Sequence, residues 1–265
     1  MLLFSKKRKT LHDWLAKTNV IDIHPEDDIE EDEISLVRKS PKFSYRSHTA
    51  TVLQNGHILL VTSDGAEIFD PKKQEFYYPD SPGFNPGVNL AALLQDGRVL
   101  VVSFGSKDSA NQAKIYDSQK DSWKSVKPPV HKYRQGQLTL LANGQVLATG
   151  GAVSVGPPKY VVGHTYCEVW DPATGDWTET QPLNNARYDH CAVALSDGSV
   201  VVIGGCHKTI ESRCSDGVWQ EIAQLPTNLY DHQVVLLKDD ILIIGGRTMR
   251  PSEAYAPVNT QSSSW

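Results

Sequence analysis

Ala186-Arg-Tyr-Asp-His-Cys-Ala-Val-Ala-Leu-Ser-Asp-Gly-Ser-Val-Val-Val-Ile-Gly-Gly205 carries the pattern that decides the fold. Cys191 to Leu195 and Ser199 to Ile203 are two apolar, β-branched runs. Ser196-Asp197-Gly198 between them supplies the positive φ that a tight hairpin turn requires. Gly204-Gly205 then ends the second strand. Because that strand is nearly all Val and Ile rather than alternating, both of its faces are expected to be covered by protein. One hairpin cannot supply that cover alone.

The same wording recurs along the chain, with turns at Asn55-Gly56, Asp96-Gly97, Asn143-Gly144, Asp197-Gly198 and, without its glycine, Asp239-Asp240. Each turn separates two apolar strands. Paired glycines follow at Gly150-Gly151, Gly204-Gly205 and Gly245-Gly246, reduced to Gly105 and Gly65 in the earlier copies. The turns stand about 40 to 55 residues apart, the spacing of propeller blades rather than of helical solenoids. A third strand with an aromatic and usually an aspartate comes next: Ala66-Glu67-Ile68-Phe69-Asp70, Ala113-Lys114-Ile115-Tyr116-Asp117, Cys167-Glu168-Val169-Trp170-Asp171 and Glu253-Ala254-Tyr255. Phe76, Trp123 and Trp177 then open a fourth strand, as Trp219 does in the next copy, and a proline closing such a strand suits a sheet edge.

Hairpin, paired glycines, aromatic-Asp dipeptide and spaced Trp together resemble the Kelch repeat, over roughly Ala50 to Trp265. The Asp96-Gly97-Arg98-Val99-Leu100-Val101 wording is most similar to Kelch repeats of the galactose-oxidase-like kind. The resemblance implies an all-β propeller of about five four-stranded antiparallel blades. Repeat four shortens its third strand to Ser212-Arg213-Cys214, and repeat one lacks the paired glycines. Ile34 to Pro41 reads as an orphan fourth strand, and Val20 to Pro25 resembles a third strand. The economical expectation is that the N-terminal strand Ile34 to Lys39 completes the last blade near Tyr255, removing two free edges; a sixth, composite blade is the alternative. The chain accordingly divides into a basic and acidic N-terminal segment, 1–33, and the propeller, 34–265.

Net charge −5 leaves no basic footprint, so nucleic acid is not expected as a partner. Met1-Leu-Leu-Phe-Ser5 precedes the basic Lys6-Lys7-Arg8-Lys9, the reverse of a secretory signal, and no stretch reaches the length of a membrane span. A cytoplasmic protein is therefore expected. Thr10 to Lys17 has helical spacing, and Glu26 to Glu33 is an acidic block without the spacing of a calcium loop. Cys167, Cys191, Cys206 and Cys214 show no CxxC spacing; free thiols are expected, with Cys206–Cys214 the pairing held open.

Function has to be argued from one face of such a ring. The loops entering the first strands and those following the paired glycines are expected to share it. They carry Tyr45, Arg46, His48, Tyr133, Arg134, Arg187, Tyr188, Asp189, His190, Tyr230, Asp231 and His232, joined by His207 and Arg247. Tyr and Arg are enriched at interface hot spots. His48, His190 and His232 stand at equivalent positions, where a hydrogen-bonding role in the blade outweighs a metal site. A long insertion, Ala152 to Thr165, carries Tyr160, Val155, Val161 and Val162, either overhanging the channel mouth or packing back on blade three. No catalytic motif and no cofactor motif is present. The galactose-oxidase likeness raises a copper-radical enzyme, but no segment matches its ligand set. The reading is a non-enzymatic scaffold that binds another protein at the mouth; a carbohydrate-binding or sugar-modifying propeller is the alternative.

Overall fold

In the computed structural model the structure describes residues 2–5, 48–62, 64–80, 83–84, 88–105, 110–155, 160–237 and 240–248, and among these every regular element is a strand. Strand β1 (Leu2–Ser5) comes from the N-terminus. The first blade is β2 (His48–Val52), β3 (Ile58–Thr62), β4 (Ala66–Asp70) and β5 (Glu75–Tyr77). The second is β6 (Val88–Leu93), β7 (Val99–Phe104), β8 (Gln112–Asp117) and β9 (Ser122–Val126). Blade three joins β10 (Gln137–Leu140), β11 (Val146–Thr149), β14 (Cys167–Trp170) and β15 (Trp177–Glu179), and between them stands a separate hairpin, β12 (Ala152–Val155) with β13 (Tyr160–Gly163). Blade four is β16 (Cys191–Ala194), β17 (Val200–Ile203), β18 (Thr209–Arg213) and β19 (Trp219–Gln224). The fifth holds β20 (Tyr230–Leu237) and β21 (Asp240–Arg247), with β1 as its third strand.

Every pairing is antiparallel, and the hairpin turns show why the motif repeats. At the fourth blade Leu195 N–H donates to Ser199 C=O at 2.8 Å, Gly198 takes φ +84°, and the Asp197 carboxylate accepts the Ser199 N–H at 3.0 Å. An Asx side chain closing the loop and a left-handed glycine after it define a three-residue hairpin. Asn55, Asp96 and Asn143 accept the equivalent N–H in their own turns. The spaced aromatics are cross-strand partners: Phe69 faces Phe76, Tyr116 faces Trp123 and Trp170 faces Trp177.

Second strands carry the core. Val99 and Val101 pack toward the first blade while Leu100, Val102 and Phe104 pack toward the third. Val200 and Val202 face blade three, and Val201 and Ile203 face blade five. Burial on both faces explains the unbroken apolar runs, and each such side chain contributes about 1.5–3 kcal/mol of burial. The inner strands pack side by side in the order β2, β6, β10, β16, β20.

Four readings of the sequence need correction. Beside β21 the last blade takes Leu2–Ser5 as its third strand, paired residue for residue with Ile243 to Asp240, where the sequence points to Glu253 to Tyr255; the expected closing strand Ile34 to Lys39 lies outside the described residues, as do Tyr255 and Thr10 to Lys17. The N-terminal segment therefore contributes to the propeller. The third strand of blade four runs the full length Thr209–Arg213 with a bulge at Ile210/Glu211; it lacks only the aromatic-Asp wording. In blade five β21 continues through Gly245 and Gly246, so that pair does not end its strand.

Where the paired glycines do end a strand, they mark close backbone approach. A Cβ on Gly205, at φ +83°, would stand 2.3 Å from the Tyr188 carbonyl oxygen, and one on Gly150 would stand 2.6 Å from that of Arg187. Gly205→Ala is therefore expected to cost about 3 kcal/mol or more, combining a disfavoured φ with a clash against backbone. Thermal unfolding should show a fall of roughly 5–10 °C.

Candidate functional site

The site begins with a buried carboxylate in the third strands of blades three and four. Glu168 in β14 is buried and accepts the N–H groups of Val130 and His131, at 3.0 and 3.1 Å, and the Tyr133 hydroxyl at 2.9 Å. Glu211 in β18 does the same one blade on. It accepts Asn184 and Asn185 N–H at 2.7 and 3.1 Å and takes the Arg187 guanidinium at 2.5 Å, with both side chains fully buried. A buried carboxylate must be paired, so each glutamate fixes the loop that leads into its blade's first strand. Arg187 also donates to the carbonyls of Gly204 and Thr209.

This arrangement moves much of the expected binding surface inside. Tyr133, Arg187, Tyr188, His190, Tyr230 and His232 are all buried, being the partners that satisfy the glutamates or pack between blades. Tyr188 and Tyr230 lie with ring centroids 6.1 Å apart and cluster with Ala152. His190 shares a 3.0 Å hydrogen bond with Thr149 of the preceding blade, the tie that Asn89 makes at the equivalent position to Thr62 C=O at 2.9 Å. The tie thus runs between blades rather than within one. His48 is exposed at the start of β2, and among the described residues no group of three or more metal-ligating side chains gathers. Tyr45 and Arg46 lie outside the described residues.

Asp231 and Arg247 remain exposed, whereas Asp189, Arg134 and His207 are half-buried. Asp189 and Asp231 both take φ 53°, which turns each carboxylate out at the head of its first strand. Gln135, an exposed residue the sequence reading passed over, donates to both Asp189 oxygens at 3.0 and 2.9 Å. Asp231 pairs with Arg247, whose guanidinium stands 5.8 Å over the Tyr230 ring. Arg134 holds the insertion through its carbonyl, which accepts Ala152 N–H at 2.7 Å, and His207 hydrogen-bonds Thr209 at 2.9 Å. Of these, Asp189 and Asp231 border a cleft of about 280 Å³ that Gln137, His190, His232 and Gln233 also line.

The inserted hairpin touches both its own blade and its neighbours: His164 hydrogen-bonds Lys132 C=O of the loop entering blade three. Val161 packs into the cluster of Ala152, Tyr188 and Tyr230, and His164 pairs with Arg187, so the hairpin leans over the entering loops of blades four and five. Tyr160 belongs to β13, while Val153 and Val155 on the opposite strand are exposed at 36% and 42%.

Electrostatics separate the buried groups from the rim. Burial holds His190 well below its usual pKa of 6.5, with Arg187 adding to the effect. His232 and His164 are lowered by burial too, although neighbouring carbonyls pull the other way. Burial pushes the Cys191 thiol up to about 11. Asp189 is raised by burial and by Asp231, against the opposing effects of Gln135 and Arg247. The cysteines are all free.

Lowered histidines bind fewer protons folded than unfolded, so stability is complete above pH 6.5 and falls as the pH drops below it. His190→Asn, which installs the residue found at position 89, should keep the inter-blade hydrogen bond. Thermal melts from pH 8 to 5 are expected to show a shallower acid decline for this variant. An unchanged decline would remove His190 from the balance.

No family model matches the chain. It is 30% identical over 141 residues to Kelch domain-containing protein 7A of Mus musculus, a match that takes in half of this chain and 18% of that protein's length. The solved structure of YjhT superposes with a TM-score of 0.64 at 13% identity, over 80% of this chain and 75% of that one. The repeat wording, the blade topology and these likenesses agree: the chain folds as a β-propeller whose blades are similar to Kelch repeats.

Proposed function

We propose that the chain is a non-enzymatic protein-binding scaffold that receives another protein on the loop face where blades three, four and five meet. What supports this reading is the division of labour at that face. Side chains capable of chemistry are engaged in the fold, and the exposed ones make a mixed recognition surface. General acid–base work needs a group poised near its working pH, whereas His190 is buried, neutral and tied to Thr149. Nucleophilic work needs a thiolate, whereas the Cys191 thiol stays protonated at neutral pH. Exposed Val153 and Val155 of the insertion, together with the Asp231–Arg247 pair and the Gln135–Asp189 contact, combine apolar anchors with polar groups, the composition of a protein interface.

The carbohydrate alternative draws on one observation, that Gln137, Asp189, Asp231 and Gln233 in the cleft could all hydrogen-bond hydroxyl groups. A cytoplasmic location is proposed with the scaffold reading, since four free thiols suit a reducing compartment.

Affinity purification from the native cell tests both. Val153→Ser with Val155→Ser, and separately Asp231→Ala, alter only exposed positions. Recovery of the partner is expected to fall at least about tenfold with the melting temperature nearly unchanged. Unchanged recovery from all variants would take the partner off this face. Glycan-array binding that Asp231→Ala abolishes, with no protein recovered, would replace the scaffold reading by the carbohydrate one.

A further inference from the structure

Asp189 stands in the wall of the cleft with its charge only partly answered. The side chain is half-buried, and both of its oxygens are held by one neutral group, the Gln135 amide, at 3.0 and 2.9 Å. Asp231 on the neighbouring blade takes the Arg247 guanidinium, whereas among the described residues no cation pairs with Asp189. Burial and the Asp231 charge both push the Asp189 carboxyl up, against the opposing effects of Gln135 and Arg247. A carboxylate withdrawn from water beside a like charge is stabilised by an opposite charge brought against it. Arg247 is already matched by Asp231, so the unmatched charge is that of Asp189.

The remaining walls offer acceptors more than donors. Gln135 commits its amide to Asp189, and Gln137 commits its own to His190 C=O at 2.9 Å, which leaves Gln137 its side-chain oxygen. His190 lines the cleft at 1% exposure; its Nε2 is held by Thr149 at 3.0 Å, and its Nδ1 has no hydrogen-bond partner among the described residues. With the ring neutral and Nε2–H donating to Thr149 Oγ1, Nδ1 is an acceptor without a donor. His232, 2% exposed in the same wall, completes no hydrogen bond from either ring nitrogen. Buried polar atoms left over in a cleft wall call for a partner.

Guanidinium and ammonium groups only donate, whereas a sugar hydroxyl must be offered donors as well as acceptors. At about 280 Å³ the cleft is also no larger than the smallest of ordinary ligand sites, a size that suits one long side chain. We propose that the cleft is a subsite for an organic cation, the guanidinium or ammonium group of a single arginine or lysine side chain, held by the Asp189 carboxylate. That this group arrives on another protein rests on the scaffold reading above; the chemistry of the subsite does not.

NMR titration of the full chain with N-acetyl-arginine methylamide tests this, against the citrulline derivative, which keeps the shape and lacks the charge. The arginine probe is expected to bind at least about tenfold more tightly at low salt, and to lose most of that advantage at high salt. Asp189→Asn keeps an acceptor for Gln135 and a residue that tolerates the positive φ, and should bring the two probes within about twofold of each other. Equal affinities in the parent chain, or no binding of the arginine probe up to about 100 mM, would overturn the proposal. So would a preference that Asp189→Asn leaves intact. If that variant fails to fold, the parent's two affinities still decide the matter. The scaffold reading fails separately. Arginine selectivity with no protein recovered from the cell would support the subsite and remove the scaffold, whereas a partner recovered equally well with Asp189→Asn would keep the scaffold and overturn this proposal.

Discussion

A carboxylate buried in the third strand of a blade is the constraint on which the rest depends. Glu168 and Glu211 are 1% and 0% exposed, and an uncompensated charge at such depth would be prohibitive. Each is therefore surrounded by donors from the loop that enters its own blade: two successive backbone N–H groups and side chains, Tyr133 in one case and Arg187 with the Asn185 amide in the other. With those loops fixed, the backbone beyond them is fixed as well. Asp189 N–H reaches Gln135 C=O, Gly151 N–H reaches Arg187 C=O, and Cys206 N–H reaches Tyr188 C=O. A sheet-interior charge thus determines where the surface carboxylates of the mouth stand.

Much of the fold was legible because its signals are local. The turn dipeptides report φ, the unbroken Val and Ile runs report burial on both faces, and the seven-residue spacing of aromatics reports a cross-strand pair. Blade four escaped part of this reading because β18 pairs normally through Thr209–Arg213 while lacking the aromatic that marks its siblings. Leu2–Ser5 escaped it because a strand that pairs with Asp240 to Ile243 leaves no local pattern at either end.

The site was legible in position but not in orientation. Residue type made Tyr133 and Arg187 resemble interface anchors, yet type alone does not say on which side of a loop a side chain lies. A signal was present in the glutamates: Glu67, Glu168 and Glu211 recur at the second or third residue of third strands whose neighbours are apolar. A charged residue repeated inside buried strands demands partners, and the Tyr-Arg wording of the preceding loops supplies them. With those two accounted for internally, Asp189, Asp231 and Arg247 are left outside, together with Gln135, whose role depends on a partner more than fifty positions along.

The mouth also depends on how the chain is assembled. Blades one to four are each built from strands close together in the sequence, blade three with one inserted hairpin, so their contacts are local and impose little loop-closure cost. The fifth blade joins residues from opposite ends, Leu2–Ser5 against Asp240–Arg247. Such non-local pairing is slow to form and is lost first when an end is removed. Asp231, His232 and Arg247 all sit on this blade, whereas Asp189 and Gln135 sit on locally assembled ones. The Asp231–Arg247 pair lies across the local β20–β21 hairpin, while the far edge of β21 is covered by residues from the opposite end of the chain.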